Sequence, residues 1–496
     1  MNKLLKILAA AGILAVTAAI APAQAARSDL TIGIQLEPPN LDPTTGGAAA
    51  AIRSVTYHNI YEGLTRIDQD GVVVPALAKS WDISDDGLVY TFHLEDGVKF
   101  HDGTPFSADD VKFSYDRARA PDSVNAQKQL FADIASVDVI DPLTVKVTLS
   151  KPNGSFLYNM GWGDAVIVSP KSAATDATNP IGTGPFKFVQ WVQGDRIEMA
   201  KNPDYWGTPA KLDKATFKFI SDPTAATAAI LAGDIDAFQN FPAPEALGQV
   251  KADPRFTVTF GSTQGETIMS MNEAHKPLDD IRVRQAIAHA IDRKAIIDGA
   301  MFGYGTPIGT FYPPSSPDYV DLTAQSNYDP DLSRKLLAEA GVKDLTLQMK
   351  LPPPPYARNG GQIIAQQLAE VGIKTQITNV EWADWLSTVF KNKDYDLTIV
   401  SHVEPNDIGI FARGDAYYFN YNSEKFNAIM AELNDTTDPA KRSELIKQAQ
   451  KQLADDYPVA FLFELAQINV QNKDLKGLWE NAPIPATDLT GVYWAN

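Results

Sequence analysis

The stretch PALAKSWDISDDGLVYTFHLEDGVKFHDGTPFSADDVKFSYDRA, residues 75–118, decides how the chain is read. It crowds together His93, His101, Asp102, Asp109 and Asp110, side chains of the kind that build metal and catalytic sites. A zinc site needs three or four ligands that converge, such as two histidines one turn apart on a helix. Here VYTFHL and VKFH read as two strands joined by EDG, so His93 and His101 need not face one point. The apolar pattern gives a simpler account. Tyr90, Phe92 and Leu94 alternate towards one face, Phe100 and Phe106 extend that core, and Gly97 and Gly103 mark turns. Ser107 is placed to cap a helix from Ala108 to Arg117. The stretch therefore reads as scaffold, with His93 on the outer face and no metal expected.

Ahead of it, Lys3 and Lys6 precede an apolar run from Ile7 to Ile20, and APAQA places small residues at Ala23 and Ala25. That is the pattern of a secretory signal peptide over residues 1–25, its apolar part too short for a retained membrane span. No later stretch approaches the ~20 apolar residues a spanning helix needs. Removing Lys3 and Lys6 leaves 41 of the 43 basic residues against 61 acids, a balance of −20. So acidic a surface argues against nucleic acid and anionic membrane as partners. The chain has no cysteine, hence no disulfide and no thiol for a lipid anchor. A free periplasmic protein, without membrane insertion, is the expectation.

Single cores stop growing near ~250–300 residues, so the mature chain is expected to form roughly two to four domains. At 44% hydrophobic and 21% charged residues, disorder is not expected beyond the termini. LTIGIQL (30–36) reads as a strand stopped by EPPN, and residues 58–179 as a run of strands with one helix. IGTGPFKFVQW and DRIEMAKN form a hairpin through VQGD. A helix then begins at Asp222 and Pro223 and stops at Gly233. From about 269 the texture is α/β. Val283, Ile287 and Ile291 keep helical spacing, and NGGQIIAQQLAEVG lies between the strands LTLQMKL and IKTQITNV. SEKFNAIMAEL and PAKRSELIKQAQKQLADD are amphipathic helices before the strand VAFLFEL, and PPPP at 352–355 reads as a stiff loop.

Residues 75–118 resemble the signature of the periplasmic extracellular solute-binding proteins of the peptide and nickel class, the binding subunits of ABC importers. NPIGTGPFKF (179–188), NPDYWG (202–207), MNEAHKPLDDIRVRQAIAHAIDR (271–293) and YDPDLSRKLLAEAG (328–341) are similar to later landmarks of that family, in the same order. The resemblance runs from about residue 30 to the C-terminus. It implies an α/β, two-lobed periplasmic binding protein of the cluster C type, whose lobes close over a ligand by a hinge, with an extra domain on the first lobe. In this numbering lobe I is expected at 26–57, 180–268 and 471–496, the extra scaffold domain at 58–179, and lobe II at 269–470. The chain is expected to cross between lobes near GSTQGETIMSMN and INVQNKDL.

Enzyme motifs are missing: there is no G-x-S-x-G, H-E-x-x-H, Walker loop or cysteine nucleophile, and the six histidines are scattered. GYGTPIG (303–309) follows a helix and precedes prolines, whereas a dinucleotide loop needs a strand before it and a helix after. Spacing alone does not exclude a glycosidase, because 61 acids supply many carboxylate pairs. The resemblance lowers that class, and no catalytic residue, cofactor or metal is expected.

In peptide-binding relatives the resemblance implies a pattern like W-x-x-D-x-x-[DE]-P, whose first acid holds the peptide's ammonium group. Aligning Glu404 and Pro405 with its end places the tryptophan on Thr398 and the acid on Ser401, so both are absent. A hydroxyl lacks the charge-assisted bond of a carboxylate. Either His402, Glu404 or Asp407 substitutes, or the ligand has no free amino terminus there. His402, Glu404, Asn406, Asp407 and Arg413 crowd past a strand's carboxyl end, where α/β sheets hold ligands, although a solvated loop reads equally. Arg413 offers a guanidinium for a carboxylate or phosphate. Trp382 and Trp385 are placed to stack on a ligand or, with Leu386 and Val389, to fill a core. The loops STQGE (262–266), with Gln264 as its ligand candidate, and EPPNLDP (37–43) are expected to face the cleft, and Tyr356 and Arg358 are further candidates. The expected function is capture of a short peptide or small molecule for an inner-membrane ABC permease by a monomer. An opine, a sugar conjugate or, in a rival class, a hydrolase's substrate remain alternatives.

Overall fold

A computed structural model describes residues 27–46, 49–403 and 407–495. Its largest sheet has seven strands, running from edge to edge as Phe256–Gly261, Gln467–Asn472, Ala237–Phe238, Asp29–Ile34, Lys214–Phe219, Arg196–Lys201 and Phe186–Val192. Asp29–Ile34 runs parallel to both of its neighbours, and every other pairing is antiparallel. The helix Pro223–Ala232 begins where its sequence signals it should. The Asp222 carboxylate accepts from the Ala225 amide at 2.7 Å, and Gly233, at φ 83°, turns the chain out of the helix in a conformation that favours glycine.

A four-stranded antiparallel sheet, Ala78–Ile83, Val89–Leu94, Thr144–Leu149 and Ile134–Asp141, packs beside it. Tyr90, Phe92 and Leu94 are buried, as their alternation predicts. The helix Ala108–Arg119 starts after Ser107, whose amide donates to Asp110 at 2.9 Å. His93 pairs with Asp82 at 2.8 Å. The His101 ring lies 3.0 Å from the Gly184 carbonyl oxygen, and burial pushes its pKa down to about 4. The two histidines are spent on different partners. Leu30, Ile32 and Phe217 of the large sheet share one continuous core with Tyr90, Phe92 and Phe156, so these two sheets form a single packed body.

The second lobe is a six-stranded mixed sheet in the order Thr306–Pro307, Val459–Glu464, Glu266–Met271, Leu397–His402, Thr346–Leu351 and Lys374–Asn379. Its central strands are buried on both faces because both are covered. Met269 and Ile399 join one core with Val283, Ile287 and Ile364, while Ile268 and Val400 join another with Phe426, Leu445 and Tyr418. The proline run is not wholly loop: Pro355 is the first residue of the helix Pro355–Glu370, a position that needs no amide donor. The segment Trp385–Lys391 winds as a π-helix, whose wider turn places Trp385 and Val389 inward and leaves Leu386 54% exposed. Among the described residues no helix is long and apolar enough to cross a membrane.

The chain passes between the lobes at Gly261 to Glu266 and again at Glu464 to Gln467. The second crossing falls before INVQNKDL, because Ile468 and Val470 already pair in the first lobe's sheet and face its core.

Candidate functional site

The two crossing segments are joined by polar side chains. The Ser262 hydroxyl donates to the Glu464 carboxylate, the Ser262 amide donates to Asn481 Oδ1 at 2.9 Å, and the Thr263 hydroxyl donates to the Leu465 carbonyl at 2.7 Å. The Leu465 amide returns a bond to the Gly265 carbonyl at 2.9 Å. Glu464 and Glu266 stand opposite each other in register, and each is 2% exposed. Burial raises Glu464 to about 7 against the opposing effect of Ser262.

From this hinge opens a cavity of about 560 Å³, within the range of small-molecule sites. Gln264 and Glu266 line it beside the crossings, and residues 311–313 and 315–318 with Ile408, Gly409, Ala412, Met430 and Arg442 line it from the second lobe. The third wall is residues 151–155 with Tyr158 and Asn159, which belong to the four-stranded unit. A surface drawn from three parts of the fold can bind a ligand in one arrangement of the lobes and lose contacts when they separate.

The residues singled out in the sequence distribute as follows. Gln264 lines the cavity. His402 is buried, its Nε2 lies 2.9 Å from Tyr418 Oη, and its ring stacks on Tyr418 and meets Phe311 edge-on. Burial, aided by the charge of Arg413, pushes His402 down to about 3, so the ring is neutral at physiological pH. The Arg413 side chain is exposed, with its guanidinium 5.2 Å from the Tyr417 ring centre. Ser401 stands opposite Thr267 in register, and both hydroxyls are buried with no hydrogen-bond partner among the described residues. Tyr356 is raised to about 12 by burial, with the Ser401 backbone as its hydrogen-bonding neighbour. Arg358 donates to the Val380 carbonyl and to Glu381 at 3.1 and 3.0 Å. Trp382 is 41% exposed, and Trp385 is 4% exposed with its indole N–H donating to Thr398 Oγ1 at 3.0 Å. Thr398, aligned above with the pattern's tryptophan, is thus covered by a tryptophan from another segment. Glu404 and Asn406 lie outside the described residues, as does the side chain of Asp407, whose backbone opens the helical stretch 407–416.

The loop EPPNLDP makes its ties away from the cavity. Glu37 accepts from the Trp191 indole at 2.9 Å and from the Gly194 amide, while buried Asp42 holds Thr44 and Arg117. Glu266, the last residue of STQGE, lines the cavity with Gln264, whereas sequence reasoning missed Tyr312, Arg442 and the 151–155 wall. An arginine in an amphipathic helix carries no local mark of a cleft.

The family model for bacterial extracellular solute-binding proteins, family 5 Middle, matches residues 72–427. The chain is 33% identical over 496 residues, 95% of each chain, to the glutathione-binding protein GsiB of Pectobacterium atrosepticum. Among solved structures it is similar to the ABC transporter-associated periplasmic binding protein DppA from Helicobacter pylori in complex with the peptide STSA. That match has 26% identity and a TM-score of 0.81, covering 95% of this chain and 99% of that one. It is also similar to the PBP AgaA from A. tumefaciens R10 in complex with agropinic acid, at 26% identity and a TM-score of 0.78 over 94% and 99% of the two chains.

Proposed function

From the chain's membership of the bacterial extracellular solute-binding proteins, family 5, we propose that it captures a short peptide or peptide-like small molecule in the periplasm and delivers it to an inner-membrane ABC permease. The observation that carries this reading is the cavity between two lobes whose chain connections, among the described residues, are two short crossings. Ligand touching both walls favours the closed form, and the permease recognises that form; closure is a population shift, with no bond made or broken. Gln264, Ser401 and Tyr356 are the proposed ligand contacts from the sequence set, joined by Glu266.

Residues 1–25 act as a cleaved signal peptide, the chain carries no lipid anchor, and it works as a monomer without catalysis. Residues 58–179 form the extra domain, and the strand Gln467–Asn472 moves with lobe I. A second reading, a non-peptide ligand, is favoured by Ser401 at the place where the resemblance puts an ammonium-binding acid.

Native mass spectrometry of the purified protein, with release and fragmentation of what travels with it, tests these readings. Masses that fragment into amino acids support the peptide reading, and one discrete non-peptide mass supports the second. Turnover of glutathione, short peptides or carboxylated sugar conjugates by the purified protein would overturn both in favour of a hydrolase. Small-angle scattering that shows no compaction with the released ligand restored would overturn closure.

A further inference from the structure

The loop 151–155 of the four-stranded unit touches the turn between the helices Glu424–Asp435 and Pro439–Asp456 of the second lobe. The Gly154 amide donates to the Asn434 carbonyl at 3.2 Å. Arg442 uses Nη1 to hold the Leu433 and Thr436 carbonyls at 2.8 and 2.9 Å, and Nη2 to reach across to Ser155 Oγ at 2.8 Å. A Cβ at position 154 would stand 2.0 Å from both Arg442 Nη1 and the Thr436 carbonyl, so the approach requires glycine. The loop is also braced from its own side. Asn153 Oδ1 accepts from the Ser155 amide at 3.0 Å, and Asn153 Nδ2 donates to Asp133 at 3.0 Å.

We propose that the loop 151–155 is a latch that holds the lobes closed, with Gly154 as its seat and Arg442 as its hook. This rests on the reading of the protein as one that works by lobe closure. The four-stranded unit shares its core with the first lobe and moves with it, whereas Arg442 belongs to the second. Rotation about the crossings at 261–266 and 464–467 must therefore break the Gly154 and Ser155 bonds, while the bonds of Arg442 to Leu433 and Thr436 stay within their own lobe. Because Gly154, Ser155, Asn434 and Arg442 also line the cavity, the latch walls in the ligand as it forms. The extra domain then acts as a second grip on the closed state, and ligand release waits on the latch opening.

The chain has no cysteine, so a Lys151→Cys, Asp435→Cys pair takes spin labels at these two positions alone. Distance distributions are measured with and without reduced glutathione, in the native background and with Gly154→Ala or Arg442→Ala. The expected result is a short-distance population in the native background that falls about tenfold in both variants, the scale of one or two lost hydrogen bonds. Ser155→Ala should lower it less, and thermal melts show whether each variant folds. An unchanged short-distance population in a folded Gly154→Ala protein overturns the latch, as does its absence from the native background. Scattering that still shows compaction on ligand addition would then leave closure standing without the latch.

Discussion

The Ser262 hydroxyl donates to the Glu464 carboxylate, tying together the two segments by which the chain passes from one lobe to the other. Glu464 thus stands at one crossing and is a buried acid facing a second one, Glu266. Burial raises it from 4.5 to about 7, so the folded chain binds its proton more tightly than the unfolded chain does. The stability this group contributes is full below pH 4.5 and is lost as pH rises through about 7. Glu464→Gln should remove that loss. The melting temperature of the variant relative to the native protein should rise between pH 5 and pH 8, corresponding to about 2–3 kcal/mol. A difference that is flat with pH would show that Glu464 is already ionised in the fold.

Gln264 lies on the hinge side of the cavity, in a loop whose neighbours are held by Thr263 and Leu465 rather than by its own side chain. Gln264→Ala should weaken ligand binding about 5–30-fold, the effect of one or two lost hydrogen bonds. Its melting temperature without ligand should stay within a degree or two, about 0.5 kcal/mol. Isothermal titration with the ligand identified by mass spectrometry checks both parts.

His402 carries a different expectation, because its ring is a neutral core residue between Tyr418 and Phe311. Its pKa falls from 6.5 to about 3, so its contribution to stability is present above pH 6.5 and lost as the unfolded chain protonates below it. His402→Ala should cost about 2–4 kcal/mol at pH 7 through the cavity it leaves and the lost contact with the Tyr418 hydroxyl. Denaturant melts at pH 5 and pH 7 should show a smaller cost at pH 5.

What the sequence shows of this fold is what local pattern controls. Tyr90, Phe92 and Leu94 disclose a half-buried strand, and Asp222, Pro223 and Gly233 bound a helix, because period and caps act over a few residues. Pro355 opening a helix and Leu386 turning outward depend on how the next turn winds, and the same residues fit either outcome. The cleft is harder still. Arg442 and Ser155 are 287 residues apart in the chain, and nothing near either one announces the other. Glu266 reads in the sequence as the end of a cleft-facing loop, STQGE, but it opens a strand buried along its whole length, because pairing on both sides covers it.

Trp382 and Trp385 meet edge to face, with ring centres 5.6 Å apart, but only Trp385 is packed inside and bonded to Thr398. Trp385→Phe should cost about 1–3 kcal/mol in chemical denaturation through the lost indole bond and volume. Trp382→Phe should leave stability within about 0.5 kcal/mol. If ligand addition quenches native fluorescence and the change disappears in Trp382→Phe, that ring meets the ligand. An unchanged response would assign the signal to tryptophans elsewhere.

The paired hydroxyls of Ser401 and Thr267 give the sharpest test of ligand class. Both are buried without a hydrogen-bond partner among the described residues, on neighbouring strands that leave the hinge side by side. Ser401→Asp puts a carboxylate where the resemblance places the ammonium-binding acid. With no ligand present that charge is buried and uncompensated, so the variant should be less stable than the native protein by about 1–3 kcal/mol. A peptide with a free amino terminus would supply the missing cation. Its binding should tighten by about tenfold or more relative to the same peptide acetylated, a difference of ~1.4 kcal/mol that charge-assisted hydrogen bonds commonly exceed. The native protein should discriminate much less between the two. If Ser401→Asp lowers stability yet treats both peptides alike, no ammonium group lies at this position, and the ligand is oriented by groups other than its amino terminus.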